Sequence, residues 1–210
     1  RANLASSRKS VGRKGHREWL EVKSDDPIVK VYHRRGREVV PTRKAEVVLD
    51  CSAEEAVVYC FNGDSREMMQ RYEERGTLAI PVVDERAEND TVLAEIHSLP
   101  FPHAKRDFVN RRVLAWNNNS GSWLMAAAPI SQKVYGRKVN AIRASLLQLV
   151  EFQRVGERQC KMTVHQQIDA GGNFLKSSAN SILDSDALNW IYDMRRDLER
   201  DDEVDAEERT

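Results

Sequence analysis

The sequence predicts an α+β fold in which a many-stranded antiparallel sheet wraps around one long C-terminal helix, with two short helices after the early strands. Three observations predict it. Period-two apolar runs separated by turn residues recur along most of the chain, two short segments between residues 52 and 75 carry helix start and stop signals, and apolar residues from Leu175 to Leu198 repeat at steps of three and four. A sheet of this many strands must close on itself or be covered, and a long amphipathic helix supplies a cover.

A first strand is expected near Trp19. Ile28 to Tyr32 alternates with period two, as does Arg43 to Leu49, with turn-like sequence from Arg34 to Pro41 between them. Ser52 stands before Glu54, Glu55 and the apolar Ala56, Val57, Val58, Cys60 and Phe61, so a serine cap and an acidic first turn open a short helix that Asn62-Gly63 ends. A second short helix from Ser65 to about Arg75 carries Met68, Met69 and Tyr72, and Gly76 stops it. Strands are then expected at 78–84, 91–99, 106–116, 122–128, part of 139–155, and 159–169. Pro100 and Pro102 cannot donate ladder hydrogen bonds, so 91–99 and 106–116 form a hairpin around them. With a loop symmetric about His103 and Ala104, Glu95 falls opposite Arg112, close enough for their side chains to pair. Asn117, Asn118, Asn119, Ser120 and Gly121 supply the residues of a wide hairpin loop. Gly171-Gly172 reverses the chain before the last helix, whose apolar face is Ala179, Ile182, Leu183, Ala187, Trp190, Ile191, Met194 and Leu198; Asp193, Arg195, Arg196 and Asp197 lie mostly off that face.

The 210 residues suit one domain with a sizeable core, placed at 18–199 between a flexible basic arm, 1–17, and a flexible acidic tail, 200–210. The arm acts either as a solvated linker or as a contact for anionic headgroups. The formal net charge is zero, which removes any global electrostatic argument for nucleic acid. Cys51, Cys60 and Cys160 are odd in number and lie at no metal or redox spacing, which fits a reducing, cytoplasmic setting. No apolar run reaches membrane-spanning length, so membrane contact is expected to be peripheral and transient. A start without Met suggests a segment of a longer protein whose other regions set its targeting. His97, His103 and His165 show no metal-ligand pattern and none adjoins a nucleophile motif; Gly171-Gly172 lacks the remainder of a phosphate loop. No metal, cofactor or catalytic residue is therefore expected, and the chain is expected to be a monomer.

The run Arg106-Asp107-Phe108-Val109 followed by Arg112, after a strand bearing Glu95 and a proline-containing turn, resembles the signature of the StAR-related lipid-transfer (START) domain family. The run from Asp169 through Gly171, Gly172 and Asn173 to Asn180, leading into an amphipathic helix, is similar to that family's passage from last strand to last helix. The likeness extends from the strand near Trp19 to the helix end near Leu198. The chain departs from the family at Leu175, where a proline is usual, and at Ser178 and Ala179, where bulkier apolar residues are common. The resemblance implies a helix-grip architecture: a curved sheet and the last helix enclose a cavity for one lipid, a sterol or a phospholipid, with the loop Asn117 to Gly121 and the helix as gates.

In that setting Glu95 and Arg112 are the expected headgroup-orienting pair, because a buried charge is costly unless it is matched. If Arg112 points inward, Phe108, Asn110, Leu114 and Trp116 share its side, and His97 joins Glu95 on the neighbouring strand. From the last helix, Leu183, Ala187, Trp190, Ile191 and Met194 are placed against ligand tails or in the core. Arg106 and Asp107 are expected to organise the turn and pair with nearby charges. Two other classes of function remain open at this point: a side-chain-filled domain serving as a protein-interaction module, and a cyclase or hydrolase using Glu95 or His97 as acid or base.

Overall fold

The computed structural model describes residues 19–22, 28–34, 40, 42–62, 66–74, 77–100, 103–131, 140–172 and 189–198. The basic arm, the acidic tail, and the first part of the expected last helix, with Leu183 and Ala187, lie outside the described residues.

Strands β1 (Trp19–Val22), β2 (Lys30–Arg34) and β3 (Arg43–Leu49) come first, followed by helices α1 (Ala53–Phe61) and α2 (Arg66–Glu74). Next come β4 (Thr77–Ala87), β5 (Asp90–His97), β6 (Lys105–Asn117), β7 (Ser122–Pro129), β8 (Ala141–Arg143), β9 (Ser145–Arg154) and β10 (Cys160–Asp169). A final helix, α3, covers 189–198. The segment expected to be one strand within 139–155 is two, broken at Ala144, whose N–H donates to Asp107 O at 3.0 Å instead of continuing a ladder.

The strands form one sheet in the order β1-β2-β3-β10-β9-β7-β6-β5-β4, with short β8 parallel to the start of β6. All other pairings are antiparallel. Alternation decides the inner face. On β10, Cys160, Met162, Val164, Gln166 and Ile168 are buried while the residues between them are partly exposed. Registers carry that face across to Val150 and Phe152 on β9, Met125 and Ala127 on β7, and Val47 and Ala45 on β3.

Helix α1 starts where the sequence places it. Ser52 Oγ accepts from Glu55 N at 3.1 Å while Glu55 Oε2 accepts from Ser52 N at 2.7 Å, a reciprocal cap that satisfies two donors at the helix start. Its buried Ala53, Ala56, Val57 and Cys60 join Val31, Val47, Phe152 and Met162 of the sheet, and Ile191 and Met194 of α3, in one packed cluster. Cys60 Sγ lies 3.4 Å from Met194 Sδ, and Tyr59 donates to Asp197 Oδ2 at 2.5 Å, so α1 and α3 are fastened to each other by one apolar and one polar contact. Within the described part of the expected helical stripe, Ile191 and Met194 are core residues of this half, with Trp190 and Leu198 packed against the same cluster.

A second, smaller cluster groups Phe108, Ala144, Ile168 and Ala170, with Leu99 and Leu146 against it. Arg106 closes this end. It is 2% exposed, and its guanidinium donates to Ala170 O at 2.6 Å and to Ala104 O. Asp107, 1% exposed, accepts from Arg143 Nη2 at 2.7 Å and Arg143 Nε at 3.1 Å. The Arg-Asp pair of the motif is thus structural. Arg106 holds the turn and the chain at Ala170 through carbonyls, and Asp107 alone makes the expected charge pair.

Candidate ligand-headgroup site

Strands β5 and β6 bring the two motif charges onto the inner face, but with a different register from the symmetric-loop expectation. Glu95 stands opposite Phe108, and Arg112 stands opposite Thr91. The residue numbers of each partner pair centre on the bond between Phe101 and Pro102, not between His103 and Ala104. Both charges keep the same parity, so the error leaves them on one face, and the long Arg112 side chain covers the offset. Its Nη2 donates to Glu95 Oε1 at 3.0 Å, with both side chains largely withdrawn from water.

Two further groups complete the carboxylate's surroundings. Tyr72 from α2 donates to Glu95 Oε1 at 3.3 Å, and His97 Nε2 lies 3.4 Å from Glu95 Oε2. The His97 ring in turn meets Phe108 edge-on, with centroids 5.1 Å apart. Desolvation is the largest single influence on Glu95 and would raise its pKa; the hydrogen bonds and charges of His97, Arg112 and Tyr72 together overcome it and hold the carboxyl down at about 2. For Arg112, desolvation again acts first and lowers the pKa, but Glu95 and Tyr72 more than offset it and the net direction is upward. Burial and the Glu95 charge push the Tyr72 phenol up to about 12. The site therefore holds an ionised pair beside a neutral hydroxyl.

A depressed carboxyl pKa adds stability above the unfolded-state value of 4.5, and that stability is lost as pH falls through the folded value of about 2. In urea titrations, the stability difference between the native protein and Glu95→Gln is expected to be level above about pH 5 and to shrink steadily below it. A difference already gone at about pH 4 would mean an exposed, ordinary carboxyl.

Sheet registers set these residues in a wider pattern. Arg112 on β6 is level with Ala127 on β7, Gln148 on β9, Gln166 on β10 and Arg43 on β3. Gln148 Nε2 donates to Gln166 Oε1 at 3.3 Å, and Gln166 is buried. One row further along each strand, Leu114, Met125, Val150, Val164 and Ala45 form an apolar row that belongs to the large cluster or packs against it. On the other side lie Phe108, Leu146 and Ile168 of the small cluster. A row that is polar except at Ala127 thus crosses the inner face between two apolar zones, with the Glu95–Arg112 pair at one end and Arg43 at the other.

Of the expected site residues, Glu95, His97, Phe108, Asn110 and Arg112 come together here. Leu114 packs against the large cluster instead. Trp116 does not join them: it is 46% exposed and lies edge-to-face on Trp123 at 5.2 Å, at the strand end where β6 turns into the loop. Trp190 packs at the margin of the large cluster. In the loop, Gly121 adopts φ 61° and donates to Asn117 O at 2.8 Å, and the Asn117 side chain accepts from Asn119 N at 3.1 Å. Tyr72, Gln148 and Gln166 were not anticipated. A tyrosine on a short helix otherwise rich in charge is a local signal for Tyr72; the two glutamines sit at alternate positions among apolar strand residues, which marks them as inward.

A family model described as the START domain matches residues 12–203 of the chain. No curated protein sequence matches it significantly. Among solved structures, human StAR-related lipid transfer protein 5 superposes with a TM-score of 0.72 at 11% identity, over 88% of this chain and 88% of its own. A STAR-related lipid transfer protein fragment from Xanthomonas axonopodis gives 0.70 at 14% identity, over 87% of this chain and 99% of its own. Human STARD10 gives 0.67 at 16% identity, over 85% and 71% respectively. At these identities the likeness is one of fold, and it agrees with the open antiparallel sheet and terminal helix described above.

Proposed function

The chain belongs to the START domain family, and from that premise we propose that it binds one lipid between the inner face of the sheet and the C-terminal helix, and transfers or senses it at membranes without making or breaking bonds. The observation that carries this reading is the buried, ionised Glu95–Arg112 pair on the inner face. An ion pair withdrawn from water contributes little net stability compared with apolar packing of the same volume, so its value lies in orienting a polar group. Arg112 offers donors to a phosphate or hydroxyl oxygen, and Glu95 and His97 offer partners to a hydroxyl. Tails would lie along the apolar zones on either side, contributing about 25 cal/mol per Å² of tail surface buried.

Entry of a lipid requires the cover to move. The loop Asn117 to Gly121 and the helix ending at 198 are the proposed gates, with the cytoplasmic face of a membrane as transient partner. The loop supports this role because its backbone is tied mainly to itself, through Asn117, and its residues 118 to 121 are exposed. The loss of an exposed hairpin tip from its resting place costs little buried apolar area.

Native mass spectrometry after incubation with mixed-lipid liposomes tests the proposal. The native protein is expected to carry one lipid, and the paired variant Glu95→Gln/Arg112→Met, which keeps the site uncharged and filled, is expected to change which lipid is carried or to lose it. A protein that stays free of lipid under these conditions would sink the reading.

A further inference from the structure

Asn110 lies on β6 at the inward position next to Arg112, with Leu93 opposite it on β5 and Pro129 opposite it on β7. It is 3% exposed, and its side-chain oxygen is fully buried with no hydrogen-bond partner among the described residues. The neighbours explain why. Leu93 has no polar side-chain atom, and Pro129 has no N–H to give. Polar side chains around it on this face do have partners: Glu95 bonds with Arg112, Tyr72 and His97, Gln166 with Gln148, and Arg106 with the carbonyls of Ala104 and Ala170. Burying an acceptor without a donor costs stability, and Asn110 Oδ1 is the buried acceptor without a partner among the described residues of this face.

Strand geometry sets the Asn110 and Arg112 positions about 7 Å apart along the same face. Asn110 offers an acceptor without a donor, and Arg112, already paired with Glu95, is the cation beside it. Resting on the reading of this face as a lipid-headgroup site, we propose that Asn110 Oδ1 accepts a hydrogen bond from the ligand, which is therefore a lipid whose head carries a hydroxyl or amide N–H donor. Lipids whose heads only accept, such as phosphatidylcholine with its phosphate, esters and quaternary ammonium, leave Asn110 unpaired and are selected against. Discrimination of this kind is strong because the wrong ligand leaves a buried polar group unmatched, whereas a missing methylene is tolerated.

The test uses the full chain and phosphatidylcholine vesicles that contain cholesterol and dioleoylglycerol together with the O-methyl ether of each. Native mass spectrometry is expected to show the free-hydroxyl lipid of at least one pair bound over its ether and over phosphatidylcholine by about tenfold or more. Asn110→Leu, which keeps the branching and the number of side-chain heavy atoms, is expected to bring that ratio to within about twofold while lipid is still bound. Without lipid, the same variant is expected to melt about 2–4 °C higher than the native protein, because an unpaired buried acceptor has been removed. Equal uptake of ether and hydroxyl lipids by the native protein overturns the role of Asn110 and leaves lipid binding intact, and this holds even if the variant does not fold. A preference that survives Asn110→Leu, or a lower melting temperature in the lipid-free variant, also overturns it. No adduct with any of these lipids overturns the headgroup reading and this proposal together.

Discussion

Replacing Arg112 by leucine is expected to lower the unfolding free energy by about 3–5 kcal/mol in equilibrium urea titration, one of the two largest effects of any single change considered. The loss has a specific origin. Glu95 would remain at 7% exposure with its nearest cation gone, and the hydrogen bond from Tyr72 would not offset the desolvation of a full charge. Its carboxyl would then take up a proton at a far higher pH than in the native protein. Removing both charges in Glu95→Gln/Arg112→Met is expected to restore most of the stability, since the amide still accepts from Tyr72 and no buried charge is left alone. A single Arg112→Leu variant less than about 1 kcal/mol weaker than the native protein would show that the pair is solvated and contributes as a surface bridge does.

The second large effect is expected at Gly171. Its φ is 64°, and a Cβ built there would lie 2.2 Å from Arg143 O, a backbone atom that cannot swing aside. Gly171→Ala therefore combines a left-handed backbone penalty of about 1–2 kcal/mol with a displacement of β8 away from the turn. Because Arg143 also holds Asp107, and Arg106 holds Ala170, that displacement loosens the whole end of the sheet around Ala170. A total cost of about 3 kcal/mol or more is expected in thermal or urea unfolding. Gly172, at φ 71° with its nearest contacts only Ile142 side-chain atoms at 3.4 and 3.6 Å, is expected to tolerate alanine better. Equal tolerance at both positions would refute the close approach at Arg143.

Strand positions were legible because their signals are local. The strands expected from Ile28 onward match observed ones within a few residues, save that the one within 139–155 is two, since period-two alternation and Gly, Pro and Asn turns act over short stretches. The cap at Ser52 was legible for the same reason, as its two reciprocal hydrogen bonds join Ser and Glu three residues apart. Register was not. Between His97 and Lys105 two prolines remove ladder donors without saying where the hairpin turns, and the symmetric assumption displaced Arg112 by four residues relative to Glu95. The pair survived that error because an even shift preserves the face and an arginine side chain is long. Tyr72 and the Gln148–Gln166 bridge were hidden for a different reason: each reaches the site only when α2 docks or when β9 and β10 align, and neither event leaves a pattern in one stretch of sequence. The motif residues Arg106 and Asp107 show the converse. They stand out in sequence beside Arg112, yet they secure the fold while Arg112 faces the proposed ligand.

The two tryptophans at the foot of the β6–β7 loop give the protein an optical handle that owes nothing to its ligand. Trp116 and Trp123 face each other across the ladder at 5.2 Å with their planes 69° apart, a spacing and tilt at which neighbouring indole transitions couple and produce a chiral signal in the near ultraviolet. Because the hairpin tip begins one residue beyond Trp116, any parting of the strands there alters the coupling before it alters the rest of the sheet. The pair is thus an intrinsic gauge of strand separation at this hairpin, readable without a dye or an added label.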